Sequence, residues 1–186
     1  EQLRRQPSGA LATRVVEAMT TNETSFFRDL HPFEALRKTI LPELIEKRRH
    51  EKRLTLWSAA SSSGQEAYSL AMLLREHFPS LATWDVRILA TDLSREMVQR
   101  TRAGCYSQLE INRGLPVPFL LKYFSKQGLT WQIREDLRKM IDAREMNLAK
   151  EWGFLPAMDI IFMRNVLIYF SSETKRAILD KIARSR

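Results

Sequence analysis

Leu54-Thr55-Leu56-Trp57-Ser58-Ala59-Ala60-Ser61-Ser62-Ser63-Gly64-Gln65-Glu66-Ala67-Tyr68 is the stretch that decides the fold. Its first six residues form a short apolar run, with charged residues before it and serines after it, which predicts a strand. From Gln65 the spacing of Ala67, Tyr68, Ala71, Leu74 and Phe78 is helical, and Pro79 ends the helix. A turn of small side chains, Ala60 to Gly64, joins the two.

Reading downstream, Asp85 to Thr91 is a second strand ending at Asp92. Ser94 to Gly104 is a helix with Ser94 as N-cap and Gly104 as its stop. Strand, turn, helix, strand, acid, helix is the order that builds parallel sheets with a ligand site at the strand carboxyl ends. Between about Ile111 and Arg144 the pattern changes. Pro116 to Phe124 suggests a short helix, and Leu129 to Ile133 and Lys139 to Arg144 suggest two strands of a small antiparallel insertion. Met158 to Met163 is a third core strand, ended by Arg164-Asn165, and Ser172 to Arg184 a last amphipathic helix. Upstream, Ala10 to Met19 reads as a helix after Pro7-Ser8-Gly9, Thr20 to Thr24 as a polar loop, and His31 to Arg49 as a helix that Pro42 kinks or divides.

The 186 residues, 44% hydrophobic and 28% charged, exclude overall disorder and suffice for one domain with its own core. A single cysteine, Cys105, forms no internal bridge, and with three histidines no zinc-ligand spacing exists. The simplest expectation is a reducing, cytoplasmic compartment with no metal. No apolar run approaches a membrane span, and none follows Glu1-Gln2-Leu3-Arg4-Arg5 as a signal peptide requires, so neither membrane insertion nor a leader is expected. The net charge of +8 favours an acidic partner. The basic excess avoids residues 54–110, where five basic groups face six acidic ones. Nucleic acid and an acidic protein surface fit such a field equally well.

The turn after the first strand sits where nucleotide-type ligands bind, and its small side chains permit close backbone approach. With one glycine it is not GxGxxG, which disfavours a dinucleotide or ATP and leaves a cofactor without phosphates. An ordinary serine-rich loop is the other reading. Asp92 occupies the place of a ribose-binding acid, or of a carboxylate at a helix N-terminus. Turn and acid together point to S-adenosylmethionine, whose sulfonium charge would favour a carboxylate such as Glu66. Phe26 and Phe27 are expected in the core, and Met72, Met97, Met140, Met146, Met158 and Met163 as core filler.

Four segments carry a resemblance. Thr21-Asn22-Glu23-Thr24-Ser25-Phe26-Phe27-Arg28, Trp57 through Ser69, Ala90-Thr91-Asp92-Leu93-Ser94 and Arg164-Asn165-Val166-Leu167-Ile168-Tyr169-Phe170 resemble, in order, the successive motifs of the CheR family. These are the bacterial chemoreceptor glutamate methyltransferases. The resemblance implies a Rossmann-like α/β S-adenosylmethionine-dependent methyltransferase sheet with a small antiparallel β insertion and the remnant of an N-terminal helical domain. Residues 1–30 would be the end of that helical domain and a linker. Residues 31–186 would be the catalytic domain, incomplete at its C-terminus, with a β subdomain at about 111–145. Asn22, Thr24 and Arg28 would contribute to the cofactor pocket, Glu66 and Asp92 would hold the amino acid and ribose parts, and Asn147-Leu148 would pack near the adenine. Arg164 and Asn165 would contact the cofactor from the third core strand's end. Arg28 and Tyr169 would face the methyl group and the incoming carboxylate as catalytic residues, with S-adenosylhomocysteine as product.

The implied activity is transfer of a methyl group to glutamate side chains on the cytoplasmic helices of methyl-accepting chemoreceptors, with no nucleic acid involved. Such a carboxylate is already ionised at neutral pH, so the reaction needs alignment and no general base. The chain departs from the family in carrying Gln65 and Ala67 where many members have Glu and Pro. Leu121 to Leu137 is also shorter than in members that grip a receptor's C-terminal peptide, so no pentapeptide tether is expected. The basic excess of 1–53, with Arg48, Arg49 and Arg53, is expected to orient an acidic substrate. Methylation of another acceptor such as nucleic acid, or a regulatory module that binds the cofactor without catalysis, are the alternatives.

Overall fold

The structure is a computed structural model that describes residues 23–184. The expected helix at 10–19 and Asn22 lie outside the described residues.

Four parallel strands form the central sheet: β1 (Arg53–Ala59), β2 (Asp85–Asp92), β6 (Ile141–Glu145) and β7 (Ile160–Phe162), in the order β6-β2-β1-β7. Leu56 pairs with Ile88 on one side and Ile160 on the other, and Thr91 of β2 pairs with Arg144 of β6. β1 is buried on both faces. Leu54 and Leu56 join Ile88 and Ala90 in one core, while Trp57 and Ala59 join Leu89, Leu148, Met158 and Ile178 in a second. That two-sided burial is why the strand reads as a continuous apolar run. The first core is completed by α3 (Gln65–His77), whose Ala67, Tyr68, Leu70, Ala71 and Leu74 are fully covered; Ile178 of α8 (Ser172–Arg184) closes the second.

α4 (Arg95–Ala103) starts on Ser94, whose hydroxyl accepts from Met97 N at 3.4 Å, and stops at Gly104 with φ 61°. The helix expected over 31–49 is three pieces: α1 (Leu30–Ala35), a π-turn over Leu36–Ile40, and α2 (Leu41–Arg48). Pro42 has no N–H to donate, and the wide turn immediately before it carries a Leu41 N–H to Leu36 carbonyl bond in place of regular α spacing.

The insertion differs from its expected composition. Its antiparallel sheet is β3 (Cys105–Ser107), β5 (Thr130–Ile133) and β4 (Phe124–Gln127), with α5 (Gln108–Asn112) and α6 (Val117–Tyr123) between β3 and β4. Lys139 to Arg144, expected as an insertion strand, instead contributes β6 of the parallel sheet, reached through the short α7 (Glu135–Arg138). The mixed pattern Ile-Asp-Ala-Arg-Glu misleads because, among the described residues, β6 pairs only with β2 and is an edge: Ala143 is buried while Asp142 and Arg144 are exposed. The strand at 160–162 is therefore the fourth of the sheet.

Candidate functional site

The chain runs from β1 to β2 and on to β6, then returns to the other side of β1 as β7. At such a reversal the loops after the strands diverge and leave a crevice at their carboxyl ends. A cavity of about 430 Å³ lies there. Its walls are Ala60, Ser61, Ser62 and Glu66 after β1, Asp92 and Leu93 after β2, Met146, Asn147 and Leu148 after β6, and Arg164, Asn165, Val166, Tyr169 and Phe170 after β7. Glu23, Thr24, Ser25 and Arg28 close it from the N-terminal segment, with Phe33 of α1.

The turn after β1 is held by its own backbone. Ala60 and Ser62 have φ of 56° and 50°, and Gly64 has φ 91°. A Cβ on Gly64 would stand 2.8 Å from Thr101 Cγ2, so the glycine is required by both conformation and space. Ser61 N donates to Thr91 O at 2.8 Å, Ser62 N to an Asp92 carboxylate oxygen at 2.8 Å and Gly64 N to Ser61 O at 3.0 Å. Those three amides are already bonded within the protein, which disfavours an N–H cradle of the kind that binds a diphosphate. It fits a nucleoside cofactor without phosphates.

Two carboxylates face the cavity. Asp92 accepts from Ser62 N and, at 2.9 Å, from Ser94 N, so it fastens the β1 turn to the β2 turn while lining the cavity. Burial pushes its carboxyl up, and the amides of Ser94, Ser62 and Leu93 work against that shift. Glu66, on the first turn of α3, accepts from Ser58 Oγ at 2.7 Å and from Arg164 Nη1 at 3.2 Å. Burial raises the Glu66 carboxyl also, opposed by the Ser58 bond and the charges of Arg164 and Arg28. A largely desolvated acid of this kind gains most from a cationic ligand, because the new charge restores what burial removed. S-adenosylmethionine, a phosphate-free nucleoside with an ammonium and a sulfonium, fits this donor set.

Arg164 is the junction of the site. Its Nη2 donates to the Arg28 carbonyl at 2.9 Å and pairs with Asp29 Oδ2 at 2.7 Å, while Nη1 reaches Glu66. It therefore ties the end of β7 to α3 and to the N-terminal segment. That segment is further pegged by Phe26, buried against Tyr106 and Phe124, and by Phe27, whose amide donates to Ser69 Oγ at 2.9 Å. Both phenylalanines are core residues, as expected.

Thr24, Arg28, Glu66, Asp92, Asn147, Leu148, Arg164, Asn165 and Tyr169 all line the one cavity. Asn22 lies outside the described residues. Arg28 Nη1 donates to the Glu23 carbonyl at 2.7 Å, and Tyr169 is 61% exposed at the rim, which sets aside a role as a buried aromatic. Three contributors carried no signal in the sequence: Met146, read as core filler, lines the cavity as well as packing beside Trp57's core; Ser58 looked like one more strand residue; and Asp29 acts only through a residue 135 positions away. The basic residues Arg48, Arg49 and Arg53 lie away from the cavity wall. These side chains are paired with Glu51 and Asp159, with Glu46 and with Asp85, and Arg53 and the Asp159 partner of Arg48 sit at the amino ends of β1 and β7, opposite the cavity. No group of three or more His, Cys, Asp or Glu that could hold a metal occurs among the described residues. No helix among them is long and apolar enough to cross a membrane.

A parallel sheet with a phosphate-free nucleoside site at its reversal point defines a class of cofactor-binding α/β domain. Comparison with known proteins narrows it. The family model for the CheR methyltransferase, SAM binding domain, matches residues 22–185, and the chain belongs to that family. It is 46% identical over 179 residues to chemotaxis protein methyltransferase 1 of Pseudomonas aeruginosa, covering 94% of this chain and 65% of that protein. It is 42% identical over 186 residues to chemotaxis protein methyltransferase Cher2 of Pseudomonas putida, covering 98% and 67%. Chemotaxis protein methyltransferase of Vibrio parahaemolyticus is 41% identical over 179 residues, with 94% and 64% covered. The chain thus spans about two thirds of the length of these relatives.

Proposed function

We propose that this chain binds S-adenosylmethionine in the cavity at the carboxyl ends of β1, β2, β6 and β7, and transfers its methyl group to glutamate side chains of chemoreceptors, forming methyl esters for chemotactic adaptation. The observation that carries this reading is the continuity of one cavity from the largely covered Glu66 and the buried Asp92 to the exposed rim residue Tyr169. Ile168 beside it is 70% exposed, so the reacting end opens on a surface that a side chain of another protein can reach.

Bound there, the cofactor supplies an electrophilic sulfonium methyl, and its transfer to a carboxylate leaves a neutral thioether and moves no proton. Glu66 takes the ammonium of the amino acid part and Asp92 the ribose hydroxyls. Asn147 and Leu148 pack beside the adenine, while Thr24, Arg164 and Asn165 complete the pocket. Tyr169 orients the incoming carboxylate through its hydroxyl without neutralising it, and Arg28 positions it beside the methyl group. Among the described residues the cavity wall has no His, Lys or Cys, which suits an acceptor that is ionised before it arrives. Residues 1–30 are read as the end of a helical domain with its linker, and 31–186 as the catalytic domain. The acceptor helices are engaged without a peptide tether, in the cytoplasm.

Incubation with tritiated S-adenosylmethionine and receptor-containing membranes tests the proposal. Label on the receptor that base releases as methanol is the expected result. Label that resists base, or appears on nucleic acid, contradicts carboxyl methylation. Binding of the cofactor without transfer to any acceptor points to a regulatory module instead.

A further inference from the structure

Arg164 is shared between two carboxylates. Its Nη1 lies 3.2 Å from Glu66 Oε2 and its Nη2 2.7 Å from Asp29 Oδ2, and the shorter contact is to the residue outside the cavity wall. Glu23, Glu66 and Asp92 line the cavity against Arg28 and Arg164, a margin of one negative charge before Asp29 is counted. Without Asp29, the Arg164 charge would be balanced by Glu66 alone, and the negative potential that a cationic ligand needs would be reduced there.

We propose that Asp29 is a positioning residue that, by engaging and neutralising Arg164, keeps the net potential of the cavity negative and so raises the affinity of the site for the sulfonium cofactor relative to its uncharged thioether product. This rests on the reading of the cavity as an S-adenosylmethionine site. Three features of Asp29 support a dedicated role. It adopts the left-handed conformation, φ 52°, uncommon for a non-glycine residue though more accessible to Asp than to most, and its contacts hold it there. It precedes α1 yet its side chain makes no capping bond to that helix. Its charge is directed instead at a guanidinium that is itself largely covered and also bonds the neighbouring Arg28 carbonyl.

S-adenosylmethionine and S-adenosylhomocysteine carry the same ammonium, carboxylate, ribose and adenine and differ by one methyl group and one positive charge. The ratio of their dissociation constants therefore reports the charge environment and cancels changes in shape common to both. Asp29→Asn is the informative variant, because asparagine tolerates the left-handed conformation and keeps an oxygen for Arg164 Nη2. Calorimetric titration of both ligands into the native chain, Asp29→Asn, Asp29→Glu and Glu46→Gln reads the effect without requiring turnover. Glu46 is an exposed acid on α2, whose neighbour Arg48 bonds at the amino end of β7, and it controls for a change in net charge alone.

The expected result is that Asp29→Asn weakens S-adenosylmethionine by roughly five-fold more than S-adenosylhomocysteine, while Asp29→Glu and Glu46→Gln keep the native ratio. An unchanged ratio in Asp29→Asn, or the same change in Glu46→Gln, overturns the role of Asp29 while leaving the cofactor site standing. Failure of the native chain to bind either ligand overturns the cofactor reading and the inference with it. Melting curves of each variant establish that the chains compared are folded.

Discussion

Glu66 is a carboxylate held in a largely covered place, and its response to pH follows from that. Burial raises its folded-state value above the ordinary carboxylate range, against the pull of Ser58, Arg164 and Arg28. A cationic ligand needs the ionised form, so affinity for S-adenosylmethionine should fall as pH drops through that raised value, at a higher pH than a free carboxylate would give. For stability the sign is the reverse. The folded chain holds a proton the unfolded chain has released, so the Glu66 contribution is present below the unfolded value and lost as pH rises through the folded one. Glu66→Gln should lower affinity by about 2 kcal/mol, roughly thirty-fold, and flatten this part of the pH profile; a steep profile in the variant would assign the titration to Asp92. Gly64→Ala tests the turn itself. With φ 91° and Thr101 within 2.8 Å of the added methyl group, a loss of about 1–3 kcal/mol in thermal melting is expected, and native stability would show that the turn can move. Gly64, Glu66 and Asp92 were legible in the sequence because each sits at a fixed offset from a strand end. Asp29 and Ser58 were not, since their partners Arg164 and Glu66 are fixed by tertiary approach and not by spacing.

At the scale of elements, the insertion does more than occupy the gap between α4 and β6. Tyr106 of β3 is fully buried and donates to the Ser63 carbonyl at 2.8 Å, so the small sheet supports the cofactor turn from behind. Tyr106→Phe leaves that carbonyl buried without its donor. It should cost about 1–3 kcal/mol in stability and raise KM for the cofactor more than it lowers kcat. An unchanged KM would limit Tyr106 to core packing against Phe26. The strands β1 and β2 and the helices α3 and α4 were readable because burial on both faces, or on one helical stripe, leaves a periodic record. β6 escaped because an edge strand alternates polar and apolar residues just as a strand of a solvent-facing antiparallel sheet does. β3 and β4, of three and four residues, are too short to leave any period.

For the molecule as a whole, the site exists because the sheet reverses direction at β1 and because an N-terminal segment is fastened across the crevice by Phe26, Phe27 and Arg164. Segments distant in sequence, from Thr24 to Tyr169, thereby form one cavity wall. Charge is distributed with the same asymmetry: Arg48 and Arg53 are engaged at the amino ends of the strands, while Arg28 and Arg164 serve the carboxyl ends. Methyl transfer at that wall is what we propose the site's geometry is for. The most direct measurement is the initial rate of base-labile methyl incorporation into receptor-containing membranes by the native chain, Arg28→Ala and Tyr169→Phe, side by side. The account predicts receptor methyl ester from the native chain, with the rate reduced roughly 100-fold by Arg28→Ala and roughly ten-fold by Tyr169→Phe. Native rates in both variants, or no ester from the native chain, would contradict it.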